Sequence, residues 1–411
     1  MRREAIGVGL FLALFFSVPL HAQDAKGLAP GWLSLDSSVG VLDNKIEEGK
    51  GSLQNALGIN ISGFLDTSYT WSSNRPKSGF DRDISGRYFD QDHNDIVFNN
   101  FNLTLEKPEK DWGVGFKLVA DFGRTGELLR EATFYGVSKF KGAGNGGEPS
   151  AELREAFITF TIPIGEGLQI KGGKFVTLQG TEIIPAPGAY NDNISRSFMF
   201  NFAIPFTHTG MLLTYPVHKI LSVSAGPVTG WDNPHDNNGQ PSLLAGINFT
   251  PADVFALASS IVYGPEQARN SGNKRFTWSN VATIKPMDAL TLFLEYTYGH
   301  EEEVTASLRD ATWQGVAAIA SYNWTDRFNT ALRGEIFSDR DGARLGGDIP
   351  GTHANVTVGE LTLTGAYKFT KMFLGRVELR QDWSDRKVFQ KRNTGSDKSQ
   401  TTLALQAIYT F

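Results

Sequence analysis

Glu182, Asp192 and Arg196 stand in one segment, residues 178–206, with Pro185-Ala186-Pro187-Gly188 and the rings Phe198, Phe200, Phe202 and Phe206. A second set, Arg376, Glu378, Arg380 and Asp382, alternates with uncharged residues. Side chains two apart on a strand share a face, so these four line one surface. Lys117, Asp121, Glu155, Lys171, Glu295, Arg333 and Glu335 hold similar alternate positions elsewhere. No nucleophile stands beside a base in these sets. Their chemistry is that of fixed charges of both signs, which attract, repel and orient ions.

Motifs for covalent or metal chemistry fail in context. The chain has no cysteine, which removes thiolate nucleophiles and thiolate metal sites. Gly142-Ala143-Gly144-Asn145-Gly146-Gly147 spells a dinucleotide-loop string, but it follows a charged loop and opens no helix. His300-Glu301-Glu302-Glu303-Val304 lacks the second histidine of a zinc-protease helix. Asp232 to Gly239 has the oxygen donors of a calcium loop without its bidentate glutamate. No cofactor is implied. The net charge of -5 gives no basic footprint for nucleic acid.

The elements that must position these charges have a period of two. Leu290, Leu292, Leu294, Tyr296 and Tyr298 oppose Thr291, Glu295 and Thr297. Leu361, Leu363, Gly365, Tyr367 and Phe369 oppose Glu360, Thr362 and Thr364. In the first such segment Ile61, Leu65 and Tyr69 oppose Ser62, Asp66 and Thr70, with Phe64 an exception. About 16 segments of this kind run from residue 58 to residue 411. Short connectors such as Pro251-Ala252-Asp253 alternate with long ones such as 123–152 and 178–206. Aromatic residues gather at both ends of the segments, as at two membrane interfaces. The last segment, Thr402 to Phe411, alternates apolar residues and ends in phenylalanine. An open sheet edge in lipid leaves backbone groups unpaired, so this strand must close on the first. The expected fold is all-β: a transmembrane, antiparallel up-and-down barrel of about 16 strands over residues 58–411, with long extracellular loops and short periplasmic turns.

The N-terminus reads as a processing signal. Arg2 and Arg3 precede the apolar stretch Ile6 to Leu20, and Ala22 offers a cut site, so residues 1–22 are expected to be a signal peptide. Residues 23–57 form an expected periplasmic segment.

The segment Asn193 to Tyr215 (NISRSFMFNFAIPFTHTGMLLTY), the opening Gly63-Phe64-Leu65-Asp66 and the terminal Phe411 resemble the OmpL-like β-barrel porins of Gram-negative outer membranes. The resemblance covers most of the chain after residue 58 and is sharpest over Ala203 to Gly210. It implies an outer-membrane channel and provides no catalytic residues. The expectation is therefore passive diffusion of small hydrophilic solutes, against two rivals: an outer-membrane barrel enzyme, and a plugged structural or adhesive barrel. Expected partners are membrane lipid and lipopolysaccharide, the assembly machinery that reads the Phe411 strand, and further copies in a homotrimer. Lumen charges are expected at Lys117, Lys171, Arg333, Arg376, Glu378 and Arg380. Residues 178–206 follow the fifth strand and are expected to fold inward, with Arg196 and either Glu182 or Asp192 setting the field at the narrowest point.

Overall fold

The computed structural model describes residues 58–76, 84–109, 113–135, 151–305, 307–345, 355–392 and 395–411, together with residues 49, 51 and 54. The signal-peptide and 23–57 assignments, and the glycine string at 142–147, lie outside the described residues, apart from those three isolated positions.

Strands follow one another as the alternation predicts. In order they are β1 (Asn60–Ser72), β2 (Ile96–Lys107), β3 (Val114–Phe122), β4 (Ala151–Ile162), β5 (Leu168–Val176), β6 (Thr207–His218), β7 (Leu221–Val228) and β8 (Ser242–Ala252). Then come β9 (Phe255–Gly264), β10 (Arg275–Met287), β11 (Leu290–Glu301), β12 (Ala311–Asn323), β13 (Phe328–Asp339), β14 (Val356–Lys368) and β15 (Phe373–Ser384). A small hairpin of β16 (Phe389–Lys391) and β17 (Gly395–Asp397) stands in the last long connector, before β18 (Ser399–Thr410). The connector after β3 holds one helix, α1 (Arg124–Tyr135).

β1 to β15 and β18 form one closed ring of antiparallel neighbours. Closure pairs β1 with β18 from Phe64↔Thr410 to Ser72↔Thr402. The seam is finished by two backbone bonds between Gly63 and Phe411, 2.8 and 2.9 Å long. A Cβ on Gly63 would lie 2.5 Å from the Phe411 ring and 2.3 Å from the Asn102 carbonyl. The glycine is what lets the terminal phenyl lie against the wall.

The two faces differ as the barrel requires. Outward positions include the exposed Leu65, Ile158, Leu294, Val316, Leu332, Ile336, Leu361 and Leu363. Water does not tolerate an apolar band of this extent on a monomer, and hydrocarbon does. Aromatic pairs mark both rims: Tyr322–Trp324 at 4.7 Å and Tyr367–Phe369 at 5.0 Å by the short turns, Trp278–Tyr296 at 6.1 Å towards the long loops. Among the described residues no helix is long and apolar enough to cross a membrane; the strands do the crossing. Phe64, out of step in the sequence, faces inward, where the Tyr190 ring meets it edge-on at 5.4 Å. Its partner comes from a connector, which strand periodicity does not see.

Candidate functional site

The connector between β5 and β6 enters the barrel and runs its height twice. On the way down, Gln179 bonds to the Ser260 and Thr277 carbonyls, Gly180 N–H to Ser279 Oγ, and Thr181 N–H to Glu295 at 2.9 Å. The tip is Ala186-Pro187-Gly188-Ala189, closed by paired backbone bonds between Ala186 and Ala189. Proline at the first central position fixes its φ, and Gly188 at the second takes φ +73°, as a type II turn demands. Asn191 uses both ends of its amide on the backbone of Ile183 and so zips the two arms together. Tyr190 reaches Thr410 Oγ1 at 2.6 Å, near the short-turn rim.

The ascending arm is held by acids and arginines of β13 to β15. Glu378 accepts the N–H groups of Ile194 and Ser195. Glu335 accepts those of Phe198 and Met199, both at 2.6 Å, where a single π-helical turn (Met199–Ala203) begins. Arg333 binds Glu182 at 2.8 Å, Glu360 at 2.5 Å and the Ser195 carbonyl at 2.7 Å. Arg380 binds Asp382 and the Arg196 carbonyl, each at 2.6 Å. Arg376 binds Gln406 and the Asn191 carbonyl. Near the long-loop rim, Trp313 Nε1 and Arg344 Nε donate to the Ala203 and Phe202 carbonyls, and Asp232 accepts from Phe206 and Thr207. A loop inside a barrel must find partners for its backbone groups, and wall side chains provide them. Asp232, a candidate cation ligand by sequence, thus serves as the clamp on the loop's last residues.

The phenylalanines of this connector are buried because other loops close over them. Tyr88, Leu128 and Leu129 of α1, Trp231, Leu345, Val388 and Phe389 join Phe198, Phe200, Phe202 and Phe206 in one apolar cluster inside the long-loop rim. Arg87 pins the first loop there, to Asp382 at 2.8 Å and Asp90 at 2.6 Å. Coulombic attraction to those two acids holds its guanidinium charged despite full burial.

The sequence-named residues therefore separate into groups. Glu182, Arg333, Arg376, Glu378 and Arg380 are brought together, buried, at the loop–wall junction. Arg196 is 4% exposed, with its guanidinium 5.9 Å from the Phe89 ring centre and 6.0 Å from that of Phe200. Burial pushes its pKa below the usual arginine value, an effect that Glu182 opposes. Asp192 stands apart, half-buried near the tip, its carboxyl pushed above the usual range by burial. Lys117 and Lys171 lie on β3 and β5, away from the anchored arm. Lys117 keeps 24% of its side-chain exposure beside Glu155 at 3.2 Å, and Lys171 sits 4.8 Å over the Phe157 ring. Sequence reasoning missed α1 and Arg87. Leu128, Leu129 and Ala132, with Glu127 in the first turn, carried a readable helical signal; Arg87 in a loop carried none.

Among the described residues no group of three or more His, Cys, Asp or Glu is placed to hold a metal ion. No curated protein matches the sequence. Solved structures share the fold at low identity. The outer membrane channel DcaP of Acinetobacter baumannii is 14% identical, with 86% of this chain and 97% of that one covered and a TM-score of 0.57. An anion-selective porin from Comamonas acidovorans is 11% identical, over 86% and 99%, with a TM-score of 0.57. OprB of Pseudomonas putida is 13% identical, over 88% and 96%, with a TM-score of 0.54. Residues 58–411, the whole barrel, match the family described as "Putative beta-barrel porin-2, OmpL-like". The closed ring, its apolar exterior, its charged interior and this match together place the chain in that family, as an outer-membrane porin.

Proposed function

We propose that the protein is a non-catalytic channel for passive diffusion of small hydrophilic solutes, and that its route follows the β2 to β5 side of the lumen. The observation that carries this reading is the asymmetry of the wall. The acids and arginines of β13 to β15 are consumed by the loop or by one another, and on β4 Arg154 is likewise taken up by Asp121 and the Pro185 carbonyl of the loop, whereas Lys117 and Lys171 keep part of their surface. A path past two lysines and one glutamate favours anions modestly, because screening is weakest where a pore is narrow. In this reading the loop sets the width, and the field comes from Lys117, Lys171 and Glu155 on the wall, with Asp192 added at the loop tip, in place of the enclosed Arg196. The test is a planar-bilayer recording in a salt gradient. Wild type should conduct with a reversal potential of anion-preferring sign; a folded barrel that stays silent removes the reading.

The apolar cluster at the long-loop rim favours a second reading, a barrel held shut until its loops move. Brief, rare openings that become frequent in Arg87→Ala would support it. Export through a cleaved residue 1–22 signal, assembly through the Phe411 strand, contact of Arg386, Lys387 and Lys391 with lipopolysaccharide phosphates, and a homotrimer complete the proposal. Mass measurement of the mature chain and of the detergent-extracted oligomer checks the first and last.

A further inference from the structure

A cavity of about 240 Å³ opens at the short-turn rim, beneath the loop tip. That volume equals about eight waters at ~30 Å³ each, enough for a small solute. Its floor is made by Asp192 and Arg376, and its rim by the turn Thr325-Asp326-Arg327 and by Lys368. Several neighbouring polar groups are already occupied. The Asn191 amide is held by Ile183, the Tyr190 hydroxyl by Thr410, and the Asn329 amide by Ser321 and Asn323. Arg376 is committed to Gln406 and the loop backbone. The remaining groups are charged, and of these the Asp192 carboxyl accepts from Ser321 and keeps its other acceptor capacity for a ligand. Among the described residues, Arg327, Lys368 and Asp326 make no side-chain hydrogen bond or ion pair, and all three are exposed at the rim.

Both signs therefore recur, acid and base at the floor and acid and base at the rim. A solute with a single charge is attracted by one partner and repelled by the other. A solute carrying both charges satisfies both, and gains register from doing so. We propose that this vestibule is a docking site for small zwitterionic solutes of the amino-acid or dipeptide class, with Asp192 taking the ammonium and Arg327 with Lys368 taking the carboxylate. It deepens the channel reading by naming a solute class, and its test needs no current.

The test is saturation-transfer NMR on the full-length barrel in detergent, with Ala-Ala as probe, and glucose and succinate as comparators. Ala-Ala should show saturation transfer and yield a dissociation constant; glucose and succinate should bind at least about tenfold more weakly. Asp192→Asn, and separately the pair Arg327→Ala with Lys368→Ala, should each weaken Ala-Ala about tenfold, since each removes a charge-assisted contact to one end of the probe. Arg327 is an exposed turn residue and Lys368 the exposed last residue of β14, so that pair leaves folding intact, checked by the heat-dependent gel shift of the barrel. Equal binding of glucose, stronger binding of succinate, or unchanged affinity in both variants overturns the proposal. Binding without channel activity would leave the site standing and remove only the channel reading.

Discussion

The two sides of this lumen carry similar residues and use them differently. On β13 to β15, Arg333, Glu335, Glu360, Glu378, Arg380 and Asp382 are fully enclosed and bonded to a loop or to one another. On β3 to β5, Arg154 is enclosed in the same way between Asp121 and the loop's Pro185 carbonyl, but Lys117 and Lys171 stand near Glu155 and stay partly exposed. Alternation on a strand decides that a charge points inward. Whether it then faces water depends on where a chain segment leans, and a fixed backbone donor can take the place of a permeating ion.

The largest effect that would break this contrast comes from Arg333→Ala. It leaves Glu182 buried without its cation and Glu360 with only Arg380, at 3.7 Å, a change that costs about 3–5 kcal/mol. Thermal unfolding in detergent should fall markedly, and single-channel steps should grow and become noisy as the ascending arm loosens. An unaltered melting profile would mean that the arm is held by its apolar cluster alone.

Next in size is Lys171→Glu, on the open side. It sets a second carboxylate near Glu155, so unfolding should fall, though less than in Arg333→Ala, while the reversal potential in a salt gradient moves towards cations. The same potential as wild type would take Lys171 out of the conducting route.

Gly188→Val comes third. A β-branched residue at φ +73° costs about 1–2 kcal/mol. Because the tip is exposed and has open space around it, the strain should appear as a modest loss of stability with altered current noise. Unchanged stability would show that the turn relaxes freely.

The smallest effect concerns pH. Burial raises the Asp192 pKa above its unfolded value, so its neutral form is favoured in the fold. Its stabilising contribution is therefore present below the unfolded pKa and is lost as pH rises through the higher folded value. Its negative charge disappears on acidification before that of exposed carboxylates. Anion preference should increase at mildly acid pH, and Asp192→Asn should show that increased preference at neutral pH with a flatter pH response. A parallel response in both proteins would assign the titration elsewhere.

The ring was legible because lipid imposes alternation on strand after strand, and because the Phe411 strand had to pair with β1. The inward loop was legible in part. Phe198, Phe200, Phe202 and Phe206 could not remain on a wet surface, whereas the tight turn at Pro187-Gly188 emerged only from the structure. The identity of its partners was not legible. Glu378 and Glu335 look in sequence like any lumen acid, and only the three-dimensional path of the loop makes them ligands of backbone N–H groups. The surroundings of Arg196 were not legible for a related reason: a cation among phenylalanines reads equally as a field-setting charge or as a guanidinium packed against rings.

The most direct measurement compares single-channel currents of the wild-type barrel with those of a chain whose residues 183–193 are replaced by a short Gly-Ser link. The account predicts larger open steps, weaker ion preference and loss of the pH response in the shortened chain. Steps of wild-type size with wild-type selectivity would contradict it, because the descending and returning arms would then stand outside the path of the current.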